Sequence, residues 1–404
     1  MANQSPNKSS SVTPDQMECG QSDCDGRERN SSSRVLLQII VSAICGFLFG
    51  VALEKARVFE PESIRLQMVF EKWIMLKMFL AAVASGQLFL AILSVVPHTK
   101  YRFEQASSEF VQCFADKGLL TSSVGPLILG AGMTLGGACP GMVLIQVGAW
   151  VPNAIFTLLG ALIGALLYGL VATTVTRITR PNNPFKFHQI HTKLNKPYIM
   201  FALPMAVMLG VVVFLLEFYI PYQQDVKRPE KLSYNIIKTI AWPPYVSGII
   251  VGVLQMPVVL VLGDTIGGST SYVTITSQWV VSKTLQKKLP YMAAKRTGIG
   301  NWWQVIYVCC AIIGGLVSAV TSHSLASIQG VGVLEGFFGG MLMLLGARLA
   351  AGCTSGHGLS GMGMLAWLSF IAVPFMFGGA IATAFIMRAV NGSLDRYVWT
   401  TLNL

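Results

Sequence analysis

A chain of 404 residues that is 53% hydrophobic and only 12% charged, with a mean hydropathy of +0.59, is not a soluble domain, which carries about 25% charged residues. Its formal net charge of +11 does not argue for nucleic acid. The basic residues gather in Arg177–Lys196 and Lys283–Arg296, the positive-inside pattern of cytoplasmic loops, and no soluble basic face accompanies them.

In chain order, residues 1–33 are rich in Ser, Asn, Asp and Lys/Arg and contain no apolar run. They read as a disordered hydrophilic tail, without the charged n-region and adjacent h-region of a cleavable signal peptide. Apolar runs then follow at Val35–Leu53, Trp73–Val96, Ala154–Thr174, Tyr198–Ile220, Tyr245–Gly263, Trp302–Thr321, Gly332–Leu349 and Trp367–Met387. Each approaches the roughly 20 residues that cross a bilayer. The predicted fold is an all-α polytopic membrane protein, multi-pass in the lipid bilayer, with the plasma membrane as the default location because no organelle address is visible. The stretch from His98 to Gly118 reads as a loop.

The chain repeats itself. Gly125, Gly132, Leu135 and Cys139 in "GPLILGAGMTLGGACPGM" recur, each shifted by 214 positions, as Gly339, Gly346, Leu349 and Cys353 in "GGMLMLLGARLAAGCTSG". A weaker echo links "CGFLFGVAL" from Cys45 with "SGIIVGVLQ" from Ser247, and each half closes on a glycine-bearing run, Gly160 and Gly164 first, Gly378 and Gly379 second. Duplicated hydrophobic segments mark secondary transporters and channels, whose site lies at the repeat interface near mid-membrane. The expected organisation is a first repeat over 34–175, a basic loop and linker helix over 176–243, a second repeat over 244–390 and a short tail over 391–404. The two pseudo-symmetric halves meet at a central constriction. Four crossings per half plus the linker give about nine transmembrane helices and inverted halves; re-entrant cysteine segments would change the count and flip the N-terminus. Sequons at Asn3, Asn7 and Asn30 fit an outside N-terminus without fixing it.

Both cysteine motifs read as broken helices. Gly136 and Gly137 end one helix; Cys139, Pro140 and Gly141 open the next, since proline suits a first helical turn. In the second motif Gly352 precedes Cys353, and Thr354 and Ser355 are good capping residues. Helix N-termini attract anions and lower a thiol pKa, and irregular backbone at membrane depth is tolerated only where it lines a cavity or is buried in protein. Two such breaks, each offering a sulfur, form a narrow polar constriction for an anion that is comfortable against sulfur.

Ionisable residues at membrane depth are functional candidates by default. Arg348 has two readings: a cation facing the anion path, or a side chain that snorkels or pairs with Glu335. Lys77, near the start of its run, reads as snorkelling, and Asp264 in "GDTIGGSTSYVT" as a helix cap. His357 is a proton shuttle or a turn residue. Cys45 is a third sulfur on the path or a small apolar filler. Cys309 and Cys310 read as packing; Cys19, Cys24 and Cys113 carry no signal. The eight cysteines contain no CxxC pair, so neither a zinc site nor a disulfide framework is indicated. No P-loop fingerprint is present, no cofactor is called for, and no nucleophile–base–carboxylate set suggests an enzyme.

"RLAAGCTSGHGLSG" (348–361) resembles the signature of the YeeE/YedE family of sulfur transporters. "GFLFGVALEKARVFEP" with "GAGMTLGGACPGM" is similar to the small companion protein often encoded beside a short family member. The chain then resembles a fusion of the two over roughly residues 35 to 390. The resemblance implies an hourglass-shaped helical fold with a pinched centre and a path on which cysteines pass thiosulfate, or a related reduced-sulfur anion, along S–H···S contacts. Cys139 and Cys353 match the motifs, and Cys45 does so loosely. A cytosolic sulfur-carrier protein is a possible partner. Sulfite, sulfide, polysulfide and selenium species remain open as cargo, as does a different class, a membrane thiol or persulfide-relay enzyme or redox sensor.

Overall fold

The computed structural model describes residues 32–112, 118–180, 189–226 and 238–391. The sequons, Cys19, Cys24 and Cys113, nearly all of the expected N-terminal tail, and the end of the chain from 392 lie outside the described residues.

The first half contains α1 (Ser32–Lys55), α2 (Pro61–Met68), α3 (Ile74–Val95), α4 (Pro97–Gln112), α5 (Leu119–Gly136), α6 (Met142–Gly148) and α7 (Ala154–Thr179). Then come short α8 (Ile190–Lys193), the linker helix α9 (Ile199–Tyr219) and short α10 (Tyr222–Asp225). The second half runs through α11 (Pro244–Val253), α12 (Gln255–Pro257), a π-helical turn at Val258–Leu262, α13 (Ser269–Thr276), α14 (Lys283–Lys288), α15 (Pro290–Arg296), α16 (Ile299–Thr321), α17 (Val333–Leu349), a π-helical segment Thr354–Gly361, and α18 (Trp367–Asn391). Eight helices among the described residues are long and apolar enough to cross a membrane, and α17 with the π-helical segment, bent by 45°, makes up to nine. Among the described residues there is no strand; the membrane-spanning pieces are helical, the element whose backbone bonds close within one segment.

The expected runs become helices with small shifts of their ends, apart from one. Tyr245–Gly263 is not a continuous α-helix: α11 ends at Val253, and α12 and the π-helical turn carry the chain to Leu262 around Pro257. Proline in a helix interior removes one ladder bond and clashes with the preceding turn. The expected loop His98–Gly118 is also corrected. Its first part is α4, whose buried face is Phe103, Ala106, Ser107 and Phe110, the i, i+3, i+4, i+7 spacing of an amphipathic helix.

The shift of 214 positions carries α5 onto α17, α6 onto the π-helical segment and α7 onto α18. The equivalent helices α5 and α17 cross directly. Gly132 lies against Gly339 and Met343, and Gly346 against Gly125 and Leu129. Lower numbers on one helix meet higher numbers on the other, so the two run antiparallel and the halves are inverted with respect to each other. The other extensive helix contacts also join the two halves. α1 packs on α16, with Gly46 against Tyr307 and Gly50 against Ala311; α3 packs on α11, with Gly248 against Met78 and Gly252 against Gly86. In both pairs the numbers rise together, so those helices are parallel. Small residues let the backbones approach closely enough for dispersion to hold the bundle, which is the main cohesive term between helices in lipid.

Outside this set, α9 packs chiefly on α3 and turns Met200, Val207, Met208, Val211 and Phe214 outward, an apolar face suited to lipid. Here Lys77 departs from expectation. It is fully buried and pairs with Glu217 of α9 at 2.8 Å, donating also to the Ile220 carbonyl. With α9 lying across this part of α3, a carboxylate is nearer than water.

Candidate functional site

The two breaks are built by local sequence. α5 ends because Gly137 adopts a left-handed conformation (φ 56°), which glycine reaches without steric cost. Its successors turn back into helix: the Cys139 carbonyl accepts from the Val143 N–H at 3.0 Å. In the second half α17 ends at Leu349, and the Cys353 carbonyl accepts from the His357 N–H at 2.8 Å. Cys353 is the N-cap of the π-helical segment, whereas the expectation for the first break is corrected: Cys139 and Pro140 lie in the turn ahead of α6, whose N-cap is Gly141, because the α-turn closed on the Cys139 carbonyl precedes the helix proper. Each segment is clipped to the chain that follows the first helix of a half: Gln146 donates to the Phe59 and Gly137 carbonyls at 2.8 Å each, and Ser360 donates to the Ile266 carbonyl at 2.7 Å.

Cys139, Cys353 and Cys45 are all buried free thiols. Cys139 and Cys353 lie within electrostatic reach of one another. The Ser355 hydroxyl stands 3.2 Å from the Cys353 sulfur, and Thr354 donates to the Met133 sulfur at 3.3 Å. Pro140 presents its carbonyl to the Tyr272 hydroxyl at 2.7 Å, which ties α13 to the first break. Gly141 faces the edge of the Phe49 ring, one helical turn from Cys45 on α1.

Arg348 is only 6% exposed. It donates to Ser269 at 2.8 Å and to Thr270 at 3.4 Å, while its Nε has no partner among the described residues. The pairing with Glu335 is corrected: Glu335 holds Arg65 of α2 at 2.6 Å, and Arg65 also donates to the Thr134 and Leu135 carbonyls at 3.1 and 2.7 Å. These carbonyls end α5, where helix ends favour cations. Arg348 is thus a buried guanidinium held by hydroxyls alone among its described partners, and it is felt electrostatically at Cys353.

Other expectations fall elsewhere. Asp264 does not cap α13, whose N-cap is Gly268; its carboxylate accepts from the Thr265 N–H at 2.7 Å and the Trp303 indole at 3.3 Å. His357 is buried with both ring nitrogens engaged, Nδ1 3.2 Å from Ser369 Oγ and Nε2 3.1 Å from the Ala350 carbonyl, and Gly352 leaves room for that ring. Cys309 is exposed on α16 rather than packed. Tyr272, Tyr307, Ser269 and Thr270 were not singled out from sequence. Tyr272, Ser269 and Thr270 stand in the glycine-broken stretch that Asp264 opens, which was the available signal; Tyr307 sits in an ordinary apolar helix and gave none. A separate polar cavity of about 260 Å³ is lined by Arg57, Glu60, Glu62, Lys72 and Asp225. Its cations are already paired, Arg57 with Glu60 at 2.7 Å and Lys72 with Glu62 at 3.5 Å.

A multi-pass helical membrane protein with two inverted halves and a broken helix in each, with thiols, hydroxyls and a guanidinium buried beside the breaks, has the architecture of a secondary transporter. Comparison with known proteins supplies the cargo class. The family model described as "Sulphur transport" matches residues 55–382, and the chain belongs to that family of sulfur transporters. It is 22% identical over 374 residues to the thiosulfate transporter TsuA of Escherichia coli (strain K12), covering 86% of this chain and 94% of that protein. It is 27% identical over 147 residues to a probable transporter of Xylella fastidiosa (strain 9a5c), covering 36% of this chain and 94% of that shorter protein.

Proposed function

We propose that this chain takes up thiosulfate intact, passing it through the constriction between the two broken helices, with Cys139 and Cys353 as successive contacts for its terminal sulfur and Cys45 as a third. The observation that supports the reading is that each half contributes one buried cysteine at a helix break, the two within electrostatic reach of one another, with the buried Arg348 five residues ahead of Cys353. Thiosulfate is a divalent anion that is costly to desolvate. Arg348, with an unpartnered Nε, offsets its charge, and hydrogen bonds to charged groups are the strong ones. A thiol facing the terminal sulfur replaces part of its hydration. Sulfate, which ends only in oxygen, gains less from the thiols and is rejected. The name of the Escherichia coli relative supports the same cargo.

The test is uptake of radiolabelled thiosulfate into proteoliposomes under imposed proton or sodium gradients, with unlabelled thiosulfate, sulfite or sulfate as competitors and Arg348→Gln beside the wild type. The expected result is intact labelled thiosulfate inside, suppressed by unlabelled thiosulfate and little affected by sulfate, with uptake by Arg348→Gln down at least about tenfold. Label retained on the protein as a persulfide, or released as a different sulfur species, would replace transport by a sulfur-relay chemistry.

A further inference from the structure

Buried polar atoms in folded proteins almost always find a hydrogen-bond partner, and an orphan calls for a ligand, a water or a functional reason. Among the described residues two such orphans stand beside the cysteine path: Arg348 Nε and the Tyr307 hydroxyl. Tyr307 lies on α16 and is only 2% exposed. Its ring is held from two sides, 5.4 Å from that of Phe49 and 6.2 Å from that of Trp303 between centroids. Its hydroxyl lies within electrostatic reach of both the Cys45 and the Cys353 thiols.

The surrounding aromatic donors are already committed. Trp303 gives its indole N–H to Asp264 at 3.3 Å. Tyr272, the other buried tyrosine near Cys353, gives its hydroxyl to the Pro140 carbonyl at 2.7 Å. Tyr307 has a fixed ring and a free O–H; its backbone lies against Gly46, the neighbour of Cys45, and its ring against Phe49, which also meets Gly141 beside the first break. A phenol is a far better donor to oxygen than a thiol is, while a thiol suits the soft terminal sulfur of a reduced-sulfur oxyanion. The two kinds of donor are matched to the two ends of one molecule.

We propose that Tyr307 is a substrate-binding residue whose hydroxyl donates to the sulfonate oxygens of the anion as it passes between Cys45 and Cys353. Recognition is then bipartite: thiols read the sulfur end, and Tyr307 with Arg348 reads the oxygen end. This rests on the thiosulfate reading above and adds to it a residue outside the cysteine motifs.

Tyr307→Phe removes only the hydroxyl and keeps the ring against Phe49 and Trp303. The expected result in proteoliposomes is a KM for thiosulfate raised by about tenfold or more, a much smaller change in maximal rate, and an unchanged thermal midpoint, because no intramolecular hydrogen bond is lost. Tyr272→Phe, which does lose one, should instead lower the midpoint. Oxygen-free hydrosulfide should inhibit thiosulfate uptake at least as well in Tyr307→Phe as in the wild type. Wild-type KM in Tyr307→Phe, while Cys353→Ala is inactive, overturns the proposal and leaves thiosulfate transport standing. A lowered midpoint with KM and maximal rate damaged together assigns Tyr307 a packing role and also overturns it. No thiosulfate uptake by the wild type overturns the transport reading itself.

Discussion

The α5–α17 crossing makes a stability prediction that a single methyl group can test. In Gly346→Ala the added Cβ would stand 2.7 Å from the Gly125 carbonyl oxygen and 2.9 Å from Leu129 Cα, and closer still to the Leu129 nitrogen. All three are backbone atoms of α5, so no side chain can swing away and the helices must part. Overpacking of this kind costs about 1–3 kcal/mol, against a gain of up to about 1 kcal/mol from replacing a mid-helix glycine by alanine. Gly378 is the internal control: nothing lies within 4 Å of a Cβ placed there, so Gly378→Ala keeps the helical gain without the clash. The two substitutions should shift the thermal midpoint in opposite directions, with a separation on the order of 2 °C or more, measured at one scan rate in the same detergent because unfolding of such proteins is often irreversible. Thiosulfate uptake should fall in Gly346→Ala, since Arg348 lies two residues further along α17, and persist in Gly378→Ala. Equal midpoints with full uptake in both variants would refute a backbone-to-backbone crossing between equivalent helices.

Two further outcomes follow from the charged groups. Arg65→Met leaves Glu335 and the Thr134 and Leu135 carbonyls without their guanidinium; stripping one partner from a largely buried pair costs about 3 kcal/mol, and the double variant Arg65→Met/Glu335→Gln should recover part of that loss in a double-mutant cycle of thermal midpoints. His191, in the segment ahead of α9 and edge-on to Tyr198, has its pKa lowered from 6.5 by burial. The unfolded chain therefore takes up its proton more readily than the folded one, so stability is complete above about pH 6.5 and falls as pH drops below it. The decline in midpoint between pH 7.5 and 5.5 should be shallower in His191→Gln, and an identical slope would remove His191 as its source.

What the sequence discloses here follows from which forces act locally. The membrane-spanning helices are legible because a bilayer demands long apolar runs, and the breaks at Gly137 and before Cys353 are legible because glycine and proline act on their own backbone. α4 escapes a hydropathy reading: its apolar face of Phe103, Ala106 and Phe110 is diluted by polar neighbours. The repeat pointed to two halves, but not to their interleaving, in which α1 pairs with α16 and α3 with α11. That depends on close approach between segments far apart in the chain. The same reason hid the true partner of Glu335: Arg348, on the same helix, was the nearest candidate in sequence, whereas Arg65 comes from α2 in the other half. Tyr307 and Ser269 acquire their importance only from what lies beside them in space.

The central claim is that one cysteine from each half forms a single path, and it is tested most directly by initial rates of radiolabelled thiosulfate uptake into proteoliposomes containing wild type, Cys139→Ala or Cys353→Ala at matched protein content. The account predicts uptake of intact thiosulfate by the wild type and its loss in each single variant, with thermal midpoints near that of the wild type. Uptake that survives either substitution at the wild-type rate would contradict it.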